Sequence, residues 1–266
     1  MKKFVKLAAL LMAAAMLLAL CACGSENSDS NKKTITLGTS ADYPPFEFHM
    51  LDNGKDTIVG IDVSMAKAIA QEMGAELVIK DIAFDNLLIE LGQGTVDFVI
   101  AAMEWDEERD QSADFSDPYY TDVPPKIVTL KDNAASYTSL ADFSGKTVGA
   151  QSGTTKADIV TNDMTGANPL LMQVVTELVN SLVNGKCDAL VLDGAVADKY
   201  VASNDQLAVC DISLGEAAEH YRVAVKEGDP NKLLDTINAA IKKAVDGGEI
   251  ANWIEQANDQ SQQAAE

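Results

Sequence analysis

The sequence predicts an α/β fold built as two lobes of similar construction. Three observations carry this expectation. Short apolar, strand-like runs alternate with helical stretches along most of the chain, which argues for mostly parallel sheets covered by helices. A helix–Gly–x–x–Asp–strand unit occurs twice. Leu87, Leu88 and Leu91 lead through Gly94-Thr95-Val96-Asp97 to the run Phe98 to Ala101; Leu178, Leu182 and Val183 lead through Gly185-Lys186-Cys187-Asp188 to the run Ala189 to Leu192. The 266 residues, 47% of them apolar, suffice for one large domain or two small ones with a sizeable core. The alternative layout is one continuous doubly wound sheet.

At the N-terminus, Lys2, Lys3 and Lys6 precede an apolar stretch from Leu7 to Leu20. The stretch is shorter than the roughly 20 residues a bilayer span needs, and it has the length of a signal-peptide core. It ends in Leu20-Cys21-Ala22-Cys23-Gly24. A small residue before a Cys resembles a bacterial lipoprotein processing site; Cys23, after Ala22, fits, and Cys21, after bulky Leu20, does not. Residues 1–22 are therefore expected to be a lipoprotein signal peptide, Cys23 to carry a lipid, and residues 23–33 to be a flexible tether. Secretion without a lipid is the alternative.

The mature chain then reads in order. Thr34 to Leu37 is a strand stopped by Gly38-Thr39-Ser40, and Asp42 to Phe46 is held extended by Pro44 and Pro45. Asp62 is expected to cap a helix with Met65, Ile69 and Met73 inward and Gly74 as its stop. Glu76 to Ile79 reads as a strand, residues 84–91 as a helix and Val96 to Ala101 as a buried strand. Thr147 to Ala150, followed by Ser152-Gly153-Thr154-Thr155, repeats the opening of the first lobe. Pro230 to Gln256 reads as helical, with Leu233, Ile237, Ile241 and Val245 on one stripe, and the polar tail after Gln256 is expected to fray.

Charge excludes some functions. Acidic residues outnumber basic ones 41 to 20, and removing residues 1–22 leaves 17 basic residues and a formal charge of −24. Such a surface repels nucleic acid and anionic lipid. Arg109 and Arg222 stand against eighteen Lys, which marks each as a place where a planar fork is needed. Cys187 and Cys210 remain after processing; an extracytoplasmic setting permits a disulfide, but Cys187 lies in an apolar run and a buried free thiol is expected. His49 and His220 have no spacing to Cys or carboxylates that suits a metal. No metal and no cofactor is expected, and no Gly-rich Lys-Ser/Thr phosphate loop occurs.

Ligands of open parallel sheets bind beyond the carboxyl ends of the strands. Five features collect there: the loop Gly38 to Phe46, Phe84, Ala101-Ala102-Met103 ahead of Arg109, Gly153-Thr154-Thr155 at a helix start, and Asp193. They come from both lobes, so the site is expected between them.

Over Ile35 to Glu255 the sequence resembles the extracellular amino-acid-binding proteins of ABC importers, solute-binding protein family 3, the group that takes polar amino acids. The motifs are Gly38-Thr39-Ser40-Ala41-Asp42-Tyr43-Pro44-Pro45-Phe46-Glu47, Val59-Gly60-Ile61-Asp62-Val63, Phe84-Asp85, Asp97 to Met103 with Arg109, Asp114 to Tyr120, Gly145 to Gly149, and Asp188 to Asp193. Each is weak alone; their order and spacing are specific. The resemblance implies a two-lobed periplasmic-binding-protein-like (type II) fold with a cleft, lobe 1 being 34–121 and 222–266 and lobe 2 being 122–221.

It also implies roles. Arg109 would take a ligand α-carboxylate in a bidentate pair, completed by Thr154, Thr155 and the N–H groups of the following helix. Asp193 would pair with the α-ammonium, Tyr43 and Phe84 would flank the side chain, and Ser40, Ala101, Ala102, Glu104 and Gln151 would complete the site. Three residues bear on the match: Glu104 stands where most relatives have Ser or Thr, Ser40 where many have Asp, and Lys156 after the Thr pair, where relatives vary. An inward Glu104 favours a ligand with an extra cationic group, and an inward Lys156 a polar or acidic one. The implied function is an importer component, extracytoplasmic and membrane-anchored through Cys23. It is expected to be monomeric, closing two lobes on an amino acid and delivering it to a permease, with no catalysis. The alternatives are an exported dehydratase-like enzyme with Glu104 or Asp193 as acid or base, and a sensor that presents its ligand to a receptor.

Overall fold

The computed structural model describes residues 33–215 and 219–264; the expected signal segment, the lipid site Cys23 and the tether to residue 32 lie outside them. In chain order the first part supplies β1 (Thr34–Thr39), the hairpin strands β2 (Asp42–Tyr43), β3 (Glu47–Asp52) and β4 (Lys55–Val59), helix α1 (Ile61–Glu72), β5 (Glu76–Asp81), α2 (Leu87–Gln93), β6 (Phe98–Val99) and β7 (Ala113–Asp122). The middle part supplies β8 (Lys126–Leu130), β9 (Thr147–Gln151), the short helix α3 (Thr155–Asp158), β10 (Asn168–Met172), α4 (Val175–Val183), β11 (Ala189–Leu192), α5 (Gly194–Ser203) and β12 (Leu207–Val209). Then come β13 (Glu219–Lys226), α6 (Leu234–Asp246) and α7 (Glu249–Ala264).

Two five-stranded sheets share one plan, β5-β1-β6-β13-β7 and β10-β9-β11-β8-β12. In each, three parallel strands are followed by a fourth and a fifth that run antiparallel to their neighbours. A single continuous sheet is thereby ruled out. The fourth strand of each sheet arrives from the other lobe: β8 follows β7 directly, and β13 returns after β12. Because β13 pairs with β7 up to Glu219 opposite Asp122, the two crossings leave the first sheet side by side.

The repeated unit has the same local cause in both lobes. Gly94 and Gly185 adopt left-handed φ values of 76° and 66° just past their helices, which glycine does without a Cβ penalty. The Asp three residues on then accepts a backbone N–H of the neighbouring parallel strand, β1 or β9: Asp97 Oδ2 from Thr36 at 2.7 Å and Asp188 Oδ2 from Thr147 at 2.8 Å. The apolar residues of each strand run are buried, Phe98 to Ala101 in one lobe and Ala189 to Leu192 in the other.

Three expectations are corrected. Asp62 does not cap α1: the helix starts at Ile61 with Gly60 as its cap, and Asp62 is fully buried, accepting from Ala102 N–H at 2.7 Å and Tyr119 Oη–H at 2.8 Å. The C-terminal region is two helices broken at Gly247-Gly248, and the polar tail continues as helix to Ala264. Val245 is 50% exposed: a helix turns every 3.6 residues, so after Ile237 and Ile241 the inward position falls to Ala244. The buried free thiol, by contrast, is found as expected: Cys187 and Cys210 are both buried and unpaired by disulfide, each pushed up to about 11 by burial. Among the described residues no helix is long and apolar enough to cross a membrane.

Candidate functional site

The strand ends of both sheets meet at a small cavity of ≈ 10 Å³, about the room one water needs, its lining side chains drawn together. Ser40, Tyr43, Phe84, Ala101, Ala102, Glu104, Arg109, Gln151, Thr154 and Asp193 line it, together with Glu47 and Lys156. Thr155 of the sequence-based set is not on the wall; its hydroxyl instead donates to Glu104 Oε2 at 2.7 Å. Glu47 is absent from that set, although it closes the quoted Gly38–Glu47 motif, because no spacing singles out one acid among 41.

The wall from the first sheet begins where β1 ends. Ser40 Oγ–H donates to Asp42 Oδ1 at 3.2 Å, and β2 presents Tyr43, whose hydroxyl donates to Asp193 Oδ2 across the cleft. Glu47 opens β3 and is 1% exposed, with Oε2 lacking a hydrogen-bond partner among the described residues. Its carboxyl is held well above the ordinary range, first by burial and then by neighbouring Asp62. Burial also pushes Asp62 up to about 6. Two buried acids in contact titrate as a coupled pair, each holding its proton more tightly than it would in water. The Asp62 carboxylate in turn pins Ala102, a non-glycine residue at φ 45° on the cavity wall. Such a conformation costs about 1–3 kcal/mol and persists where the surroundings enforce it.

The loop after β6 carries Glu104, buried and facing the cleft. Arg109 follows on a short 3-10 turn (Arg109–Gln111). Its Nη1 donates to Glu104 O at 2.8 Å, its Nη2 to Gly153 O at 3.1 Å across the cleft, and its Nε pairs with Asp106 at 3.2 Å. The guanidinium carbon lies 5.5 Å from the Phe84 ring centroid, within reach of a cation–π contact.

The opposite wall is built on β9, α3 and the start of α5. Gln151 ends β9 and donates through Nε2 to Gln173 O at 3.0 Å. Gly153 turns the chain at φ 75°, and a Cβ there would sit 3.0 Å from Asp85 Cβ of the other wall. Thr154 caps α3: its hydroxyl donates to Gln151 O at 2.7 Å and accepts from Ala157 N–H at 3.2 Å. Lys156 extends into the cavity, 2.6 Å from Glu104 Oε1 and in contact with Asp193 Oδ1. So Glu104 and Lys156, whose directions the sequence leaves open, both face inward. Asp193 precedes α5, without a side-chain capping bond. At the rim, Asp42 Oδ2 accepts from Val175 N–H of the other wall, and burial, the largest influence on it, pushes Asp42 up to about 6.

Oriented donors, carboxylates and two cations thus surround a cavity between the lobes, the arrangement for holding a small zwitterion. Comparison with known proteins agrees. The profile of the bacterial extracellular solute-binding proteins, family 3, matches residues 35–258. The arginine-binding extracellular protein ArtP of Bacillus subtilis (strain 168) is 38% identical over 245 residues, covering 91% of this chain and 93% of that protein. A probable histidine-binding protein of Neisseria gonorrhoeae is 30% identical over 241 residues, 87% of this chain and 88% of its own. A crystal structure of the amino acid ABC transporter substrate-binding protein AbpA from Streptococcus pneumoniae Canada MDR_19A, bound to L-arginine, superposes with a TM-score of 0.82 at 32% identity, over 86% of this chain and 95% of that one. The chain belongs to the bacterial extracellular solute-binding proteins, family 3, and is a binding protein rather than an enzyme.

Proposed function

We propose that this chain is the ligand-capturing component of an ABC importer for a cationic amino acid, with L-arginine as the first candidate. The observation that carries the reading is the acid-rich cavity: Glu47 with Asp62 behind it, Glu104 and Asp193 face only two cations, Arg109 and Lys156. The lining itself holds three acids, Glu47, Glu104 and Asp193, against two cations, an excess of negative charge. A zwitterion with a positive side chain neutralises it. The names of ArtP and of the arginine-bound AbpA structure support the same class.

In this reading Arg109, Thr154 and the N–H groups beside Thr155 take the α-carboxylate. Asp193 takes the α-ammonium, Tyr43 and Phe84 sandwich the side chain, and Glu47 receives its cationic end. Ser40, Ala101, Ala102, Glu104 and Gln151 shape the rest. Lobe 1 comprises 34–121 and 222–266 and lobe 2 comprises 122–221; the paired crossings at β7 and β13 act as the hinge. The protein works as a monomer, held by a lipid on Cys23 beside the permease it serves, with several acyl chains for stable anchoring.

The test is calorimetric titration of the lipid-free protein, unfolded and refolded to strip carried ligand, against the common amino acids. One-to-one heat is expected with L-arginine and weaker heat with neutral amino acids. Arg109→Ala is expected to weaken binding on the order of 100-fold, the size of effect seen when one partner of a buried charge pair is truncated. Equal affinity for L-glutamate would sink the cationic assignment.

A further inference from the structure

Glu104 and Lys156, two charged residues of the cavity lining, meet each other. Glu104 belongs to the wall built on the first sheet, and Lys156 stands on α3 in the opposite wall. The Lys156 Nζ to Glu104 Oε1 distance of 2.6 Å therefore spans the cleft. The same ammonium touches Asp193, its neighbour in the second lobe. The side chains of Lys156, Glu104 and Asp193 are 5%, 10% and 4% exposed, and Thr155 holds the second oxygen of Glu104. Buried charges persist when paired and become costly when one partner is removed. A lysine ammonium rides on a four-carbon stem that can change partners without moving its helix. Asp193 is also the carboxylate to which the proposed function assigns the ligand's ammonium.

We propose that Lys156 is a tethered stand-in for the ligand ammonium: before ligand enters, it bridges Asp193 and Glu104 and latches the cleft, and the entering ammonium takes Asp193 from it and leaves it on Glu104. Assigning that seat to the ligand rests on the cationic amino-acid reading; the latch itself does not. Glu104 is then the parking place that lets Lys156 give way. The acid and the base thus appear together in one cavity, each within reach of the other across the cleft. Lys156 thereby sets affinity, since every ligand ammonium competes with it, and it favours ligands whose second cation finds Glu47 as an additional partner.

Two measurements on the purified protein and its Lys156→Met and Glu104→Gln variants decide the matter. The first is small-angle X-ray scattering without ligand. Both variants are expected to show a larger radius of gyration than the parent, because each loses the bond across the cleft. The second is calorimetric titration with L-arginine. Lys156→Met is expected to bind about tenfold tighter, equivalent to ~1.4 kcal/mol. Glu104→Gln is expected to bind more weakly, because Lys156 then keeps Asp193. A gain in affinity is a result that structural damage does not produce; Lys156→Gln replaces the Met variant if circular dichroism shows that variant unfolded. Ligand-free scattering of both variants that superposes on the parent overturns the latch. Arginine binding that is unchanged or weaker in Lys156→Met overturns the competition. If no amino acid binds any of the three proteins, the amino-acid reading falls, and scattering alone still decides the latch.

Discussion

Burial of the Glu47 and Asp62 carboxyls gives the pair a pH dependence whose sign can be worked out. Both are raised above their ordinary values, and burial is the largest cause for each. A group with a higher pKa in the folded state holds its proton better there, so its contribution is complete below the unfolded value and is lost as pH rises through the folded one. For Asp62 that window runs from 3.8 to about 6, worth at most about 3 kcal/mol. The thermal midpoint of the parent is therefore expected to drop between pH 5 and pH 8 by more than that of Glu47→Gln, a neutral mimic of the protonated acid. Parallel slopes in calorimetric scans would show that the pair ionises freely. At this scale the sequence was informative where a residue is rare or sits at a strand end: Arg109, Asp193 and Thr154 all reach the cavity. It was silent where a residue is common. Glu47 is one acid among many, and only the folded hairpin turns it inward. The encounter of Glu104 with Lys156 joins a loop to a helix 52 residues further on, which no local pattern encodes.

Gly60 shows how an element boundary depends on one backbone position. It sits at φ 128°, and a Cβ there would lie 2.1 Å from Phe46 O, against the turn that joins β2 and β3, the strands of the cavity's Tyr43 and Glu47. Gly60→Ala must strain φ and push the hairpin away, so a loss of at least ~2 kcal/mol in chemical denaturation is expected; a midpoint within error of the parent would show that the hairpin yields freely. The glycine also explains why Asp62 misled as a cap: the helix begins one residue earlier because Gly60 can take that angle, which frees Asp62 to turn inward. The parallel strands β1, β6, β9 and β11 were legible, since apolar runs bounded by Gly and Asp have local causes. The antiparallel strands β8 and β12 and the parallel strand β10 were not, because their pairing is set by partners far along the chain. Helix α7 was missed beyond Gln256 for a related reason. Its inward positions are the small residues Ala257 and Ser261, which pack without giving an apolar stripe.

The two lobes, alike in sheet plan, lie on either side of one cavity, and the contacts that span it include Tyr43 to Asp193, Arg109 to Gly153 and Asp42 to Val175. The resemblance of the two halves was readable from the sequence because each carries its own helix–Gly–Asp–strand signal, and a site between them was expected from the strand ends that both contribute; the particular contacts across it were not. Such contacts couple the stability of one lobe to that of the other, and a ligand held from both sides strengthens that coupling by its preference for the closed arrangement. At free ligand about 100 times its Kd, mass action adds ~2.7 kcal/mol to the folded state. For a chain of this size each kcal/mol moves the midpoint by about 2–4 °C. Scanning calorimetry with L-arginine at that excess is therefore expected to show one transition displaced upward by roughly 5–11 °C. If two transitions appear and only one moves, the ligand is gripped by a single lobe, and closure of both lobes around it is not how this protein binds.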